Sequence, residues 1–241
     1  MADTLAHVSL AGVALGVLVS INPTWTNILM VIVIAVVLEY IRTLYRTYSE
    51  VSVAILMSAG MALALFLISL NQGGTTLNIN QFLFGSIVTI SKEQVWILYL
   101  LAGTILCLYI IFRKAMYVMI FDEETAFTAG LPIKTMSILF NVLTGITIAI
   151  IMPIVGALLV SAILILPAAI SMRLSRSFSS TILIGIPITL ASMLSGLVTS
   201  YEYGTPPGAT ITLILVAVLV SLTICKRLAK VFKINNSLYK K

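Results

Sequence analysis

Asp3 and His7 stand four residues apart near the start of the chain. On a helix that separation brings both side chains to one face, where a carboxylate oxygen and an imidazole nitrogen can serve a divalent cation. His7 is the single histidine of the sequence. From spacing alone two readings stand open: a pair of metal ligands, or an acid capping a helix with a histidine in its first turn. Two ligands are too few for a structural zinc site, which takes four. They suit an ion that must be selected and then released. Cys107 and Cys225 have no paired spacing and read as packed side chains in separate apolar runs.

The second constellation runs from Phe121 to Pro132, where Asp122, Glu123 and Glu124 open the segment and Gly130-Leu-Pro132 closes it. Acids suit a helix N-terminus and Gly followed by Pro suits a C-terminus. A short surface helix and a solvated loop are both compatible with the pattern.

The elements carrying these residues follow from composition. Of 241 residues, 60% are apolar and only 9% charged, with a mean hydropathy of +1.15. An ordinary soluble domain carries about 25% charged residues, so this surface faces lipid. Disorder is excluded by the same figures, and a disulfide scaffold by the presence of only two cysteines. Setting His7 aside, no charge occurs over 4–38, 51–91, 94–112, 135–172, 177–201 or 203–225. A helix crosses the hydrocarbon core with about 20 apolar residues. The chain is therefore predicted to be an all-α, polytopic membrane protein with about eight crossings, at 4–22, 26–43, 51–70, 94–112, 135–152, 154–172, 179–199 and 208–225. A β-barrel would instead show short alternating segments.

Cations set the orientation, since short cytoplasmic loops collect Lys and Arg. Arg42, Arg46, Arg113, Lys114, Lys134, Arg173, Arg176 and the tail from Lys226 onward fall on one side and hold 13 of the 14 cations. Both termini are then cytoplasmic. The start has no basic n-region or cleavage site, so insertion is expected to rely on the spans themselves. Residues 79–90 are too short to cross, and read either as a half-helix beside a translocation pathway or as an interfacial helix. Gly12 and Gly16, like Ala157 and Ser161, are small residues four apart and read as helix-packing positions. Pro153 is taken as the boundary between two spans. The chain divides into a permease domain, 1–226, with a cytoplasmic segment at 113–134, and a basic tail, 227–241. That tail reads as a topology anchor meeting anionic lipid headgroups, with no nucleic-acid partner.

These residues resemble the permease of bacterial ABC-type zinc, manganese and iron importers, most closely the zinc-uptake branch. The resemblance is carried by Ala2-Asp-Thr-Leu-Ala-His-Val-Ser-Leu-Ala-Gly12, Phe82-Leu-Phe-Gly-Ser86, Phe121-Asp-Glu-Glu124 with Gly130-Leu131, Val155-Gly-Ala-Leu-Leu-Val-Ser-Ala162, Leu166-Pro-Ala-Ala169 and Pro206-Pro-Gly-Ala-Thr210. It implies an importer in the bacterial cell membrane, in which two permease copies pair with two ATPase subunits and receive metal from an extracellular or periplasmic binding protein. It implies that Asp3 and His7 are the metal ligands of the pathway and that zinc, or else manganese or iron, is substrate rather than resident cofactor. It also implies that the segment bearing Asp122, Glu123, Glu124 and Gly130 is the helix coupling to the ATPase. The chain lacks a G-x-x-x-x-G-K-[ST] phosphate loop, which agrees with ATP being bound elsewhere. Members of the family carry a further span upstream of the D-x-x-x-H motif, so the first family helix is expected to be missing through truncation or a late start codon.

Other classes fit less well. A secondary transporter needs intramembrane acids for its coupling ions, and besides Asp3 the spans contain only Glu39, three residues from Arg42 and able to pair with it. An enzyme needs a nucleophile with a base, or a full metal site, and neither is present in the sequence pattern.

Overall fold

Apolar runs of this length must bond their backbone internally, and in the computed structural model they do so as helices. The structure describes residues 2–44, 49–70, 83–85 and 90–238. Among these the elements are α1 (Ala2–Leu18), α2 (Pro23–Leu44), α3 (Ser49–Leu70), α4 (Lys92–Phe121), α5 (Glu123–Thr128), α6 (Ile133–Val155), α7 (Ala157–Leu174), α8 (Phe178–Tyr203) and α9 (Pro207–Leu238). Seven of them, α2 to α4 and α6 to α9, are long and apolar enough to cross a membrane, while α1 is apolar but shorter. Every predicted crossing therefore meets a helix. The half-helix reading of 79–90 lies mostly outside the described residues, as do Tyr239 to Lys241 of the basic tail.

Three boundaries differ from the sequence reading. α1 stops at Leu18 rather than at residue 22. There Ser20 turns the chain with φ 58°, and Asn22 accepts the Thr24 amide at 3.0 Å, capping α2 with Pro23 in its first position. α4 does not end at residue 112 but continues through Arg113 and Lys114 to Phe121, because no breaker intervenes and long cationic side chains can reach out from an apolar helix. The break between α6 and α7 falls at Gly156, where φ is 89°, with Pro153 inside the last turn of α6.

Pro153 has no N–H to offer the carbonyl of residue 149. That carbonyl instead accepts the Asn27 side-chain amide from α2 at 3.1 Å. Asn27→Leu should therefore cost about 1–2 kcal/mol, and Pro153→Ala, which restores an N–H, should relieve part of that cost. A double-mutant cycle by thermal denaturation in detergent checks this, and additive effects would refute it.

The chain comprises two compact units, 1–157 and 158–241. In the first, α1 packs against α2, α3 and α6, α2 packs against α6, and α4 meets α5 and α6. Gly12 lies against Asn27 and Met30, and Gly16 against Pro23 and Thr26, so this small-residue pair acts in packing, as its spacing suggested. Gly12 and Gly16 thus mark the α2 side of α1, while Thr4, bonded to the Val53 carbonyl at 3.4 Å, and Val8, filling the space over Gly60, mark the α3 side. Gly85 and Gly156, both with positive φ, bring residues 83–85 and 154–156 into backbone contact. In the second unit α8 packs along α9, with Gly196 against Ile211. Cys107 and Cys225 are free and exposed, correcting their reading as packed side chains: each sits on the outward side of a helix, where an apolar thiol suits lipid.

Candidate metal site

α1 carries Asp3 in its first turn and His7 one turn on, with His7 Nε2 3.9 Å from Asp3 Oδ1. Two ligands at about 2.1 Å around a tetrahedral ion stand about 3.4 Å apart, so a small side-chain rotation brings this pair to bonding geometry. Both side chains are half-buried, 22% exposed for His7 and 43% for Asp3. Their positions on the helix wheel lie away from the sides committed to α2 and α3. Asp3 lies within α1 rather than ahead of it, so it does not cap that helix.

Depth is the informative observation. Leu5, between the two ligands in sequence, reaches with Val31 into the space over Gly145. Gly145 is near the middle of α6, Ile133–Val155, and Val31 near the middle of the apolar span Pro23–Arg42. The carboxylate and imidazole are therefore level with the midpoints of α2 and α6, not at an interface. Ionisable side chains at that depth are rare and functional by default. Among the described residues no group of three or more His, Cys, Asp and Glu gathers around a common point; Asp3 and His7 stand there as a pair.

Toward the Lys134 end of α6 lies a second buried polar group. Glu39 accepts a hydrogen bond from Asn141 Nδ2 at 2.7 Å, and Arg42 Nη1 stands 3.7 Å from the same oxygen. The pairing of Glu39 with Arg42 agrees with their spacing, whereas Asn141 was missed. Its only signal was an amide within an otherwise apolar run.

The acidic segment forms α5. Asp122 caps it, accepting the Thr125 amide at 2.9 Å and the Thr125 hydroxyl. That hydroxyl bond, then the amide bond, holds the Asp122 carboxyl below its ordinary pKa. Because the folded value is depressed, the cap's contribution is full above the ordinary carboxylate range and is lost only as pH falls through the lowered value. Amide exchange at Thr125, corrected for intrinsic rate, should be equally protected at pH 5 and pH 8; loss of protection by pH 5 would contradict this. At the other end Gly130, φ 75°, donates to the Phe127 carbonyl at 3.0 Å and Leu131 to that of Ala126 at 3.1 Å, closing the helix. Ala126 is fully buried and Phe127 is 75% exposed, so α5 seats one side on α4 and α6 and presents an aromatic ring outward. Glu124 is exposed; the Glu123 side chain lies outside the description.

Known proteins are similar to this one over nearly the whole chain. A family model described as ABC 3 transport family matches residues 1–226. A probable metal transport system membrane protein of Treponema pallidum is 31% identical over 222 residues, 91% of this chain and 82% of that protein. The high-affinity zinc uptake system membrane protein ZnuB of Haemophilus influenzae is 28% identical over 213 residues, 88% and 80% of the two chains. Other relatives at 28% identity are named for iron and for manganese transport. The solved structure of PsaBC from Streptococcus pneumoniae in complex with Fab superposes with a TM-score of 0.78 at 26% identity, covering 92% of this chain and 79% of that one. The chain belongs to the ABC 3 transport family, as the multi-pass membrane permease of an ABC metal importer and a transport component rather than an enzyme.

Proposed function

We propose that this permease carries zinc inward, that Asp3 and His7 hold the ion at the middle of the pathway, and that two copies work with two ATPase subunits and an external binding protein. The reading is carried by one observation: an imidazole and a carboxylate 3.9 Å apart, level with the midpoints of the two helices beside them. A mixed nitrogen and oxygen pair suits zinc and accommodates manganese and iron as well, so the choice of zinc leans on the relatives rather than on the donor set. Two ligands hold an ion weakly enough to let it leave. The zinc-named relatives agree with this choice, and the manganese- and iron-named relatives supply its competitors.

In the same reading α5, with Asp122, Glu123, Glu124 and Gly130, docks on the ATPase, offering Phe127 to a groove in that subunit. The basic C-terminal tail is cytoplasmic, because 13 of 14 cations then fall inside, whereas the start of α1 lies at the depth of Asp3. The permease domain is 1–226 with the coupling segment at 113–134, and the basic tail anchors it at the lipid headgroups.

The test is accumulation of labelled zinc in a strain lacking its own importer, complemented with this permease, its ATPase and its binding protein, with manganese and iron as competitors. Zinc uptake that excess manganese and iron leave unchanged is the expected result. Accumulation of manganese alone would overturn the choice of metal, and accumulation of none would overturn the reading.

A further inference from the structure

α4 is an apolar helix of 30 residues, about 45 Å long, and none of those residues is buried among the described ones. Its start is fixed by a capping box: the Ser91 hydroxyl accepts the Gln94 amide at 3.2 Å, and the Gln94 side chain accepts the Ser91 amide at 2.9 Å. Trp96, Gly103, Cys107, Lys114 and Phe121 then follow at steps of seven and four residues, which places them on one side of the helix. That side is open. Trp96 and Phe121 are 75% and 63% exposed, Cys107 is exposed, and a methyl on Gly103 would meet nothing within 4 Å.

A pair of aromatic rings stands near each end. Trp96 and Tyr99 meet edge to face with centroids 6.4 Å apart, and the rings of Tyr117 and Phe121 lie 4.7 Å apart. Between the midpoints of the two pairs the helix rises about 32 Å. At the tilt of about 20° usual for a span, that distance becomes about 30 Å, the thickness of the hydrocarbon core. Trp and Tyr collect at the two boundaries of that core, where one edge of the ring is apolar and the other wet. The charges agree at the first end, since Lys92 and Glu93 lie outside Trp96. At the other end charge alone stops the crossing at Phe112, whereas the rings carry it about two turns further. Exposed Lys114 reconciles the two. Its stem can lie along the apolar surface while the ammonium reaches past Tyr117, about 4.5 Å on, to anionic headgroups.

Residue size decides what covers this side. Helices that meet inside a membrane do so over small residues, and here Gly103 and Cys107 leave only a short notch among Leu100, Leu106 and Ile110, each 60% exposed or more. A bulky, uneven surface of this kind suits acyl chains, which mould to it. We propose that this side of α4 is a lipid-contact wall, with its ring pairs at the two boundaries of the hydrocarbon core and Cys107 close to the bilayer centre. The membrane then ends at Tyr117 to Phe121 rather than at Arg113, and α5, which begins at Glu123, lies directly against the headgroups.

The test uses the full chain in liposomes of phosphatidylethanolamine and phosphatidylglycerol, with a nitroxide carried either near the headgroup or at the end of an acyl chain. Trp25 and Trp96 are the two tryptophans, and Cys107 and Cys225 the two cysteines. Trp25→Phe therefore isolates Trp96, and adding Trp96→Phe with Phe121→Trp moves the reporter to the other boundary. Cys225→Ser leaves Cys107 to take a bimane label in detergent before reconstitution. Expected is quenching at least about twofold stronger by the headgroup nitroxide at both indole positions, and the reverse at Cys107. Emission from Phe121→Trp that neither nitroxide reduces would put that end in water and overturn the proposal. Bimane that neither nitroxide reduces, with two copies joined through Cys107 by a short bismaleimide, would place a second copy on this side and overturn it equally. Should Phe121→Trp not reach the membrane, Trp96 quenched more by the chain-end nitroxide than by the headgroup one would be enough to overturn it.

Discussion

Asp3→Ala and His7→Ala, each made in the assembled importer, are expected to lower metal uptake by at least about 100-fold while the protein still reaches the membrane. The size follows from ligand number. Loss of an outer partner that merely orients a ligand already costs 10- to 100-fold in metal affinity in typical sites, and each substitution would remove one of the two ligands of the proposed site. Folding should be spared. Both side chains are half-buried, alanine is the best helix former, and neither residue lies on the sides of α1 that carry Gly12 and Gly16 against α2, Leu5 toward Gly145 of α6 or Val8 against Gly60. Uptake of the scarce ion, measured at several external concentrations, separates weakened binding from blocked passage. Near-normal uptake with both substitutions would refute the assignment.

Gly85→Ala and Gly156→Ala carry the largest expected effect on stability. A methyl on Gly85 would stand 2.4 Å from the Val155 carbonyl carbon and 2.5 Å from the Ile154 oxygen, and one on Gly156 would stand 2.4 Å from the Phe84 carbonyl carbon and 2.6 Å from the Leu83 oxygen. All of these are backbone atoms, so no rotamer change can make room. The φ values of 74° and 89° add strain of about 1–3 kcal/mol for a residue with a Cβ. Each substitution should therefore cost about 3 kcal/mol or more, read as loss of folded protein or a lowered melting temperature in detergent. Two other glycines resolve the causes. Gly130 has positive φ but open space, so alanine there should cost the strain alone, and helical Gly103 has open space and should gain up to about 1 kcal/mol on becoming alanine. Equal melting temperatures across the four variants would refute the backbone crossing.

How much of this was legible in the sequence depends on which force set each feature. The spans were legible because charge is expelled from lipid, so gaps between charges mark them. Their ends were less so. Arg113 and Lys114 look like an exit from the membrane, yet a helix ends where its backbone bonds end, at the extended Asp122. Pro153 looks like a break, yet near a helix end it forfeits one bond, which Asn27 replaces from another helix. The turns of α5 could be anticipated because Asp122 and Gly130 act locally. The depth of Asp3 and His7 could not, since it depends on how α1 slides against α2 and α6, and the register lies in Leu5, Val31 and Gly145. Asn27 and Asn141 escaped notice for the same reason: their partners are 122 and 102 residues away.

Those separations also bear on how the protein is made. At about 5–20 residues per second, the ribosome needs on the order of ten seconds after Asn27 emerges before Ala149 exists to receive its amide. During that interval α1 and α2 have each other and then α3, but the side of the bundle that α6 will cover is open, with the Asn27 amide lacking the Ala149 carbonyl and the Glu39 carboxylate paired with Arg42 alone. The two bonds that join α2 to α6 are therefore the last that the first three helices acquire, and their packing is complete only when α6 arrives.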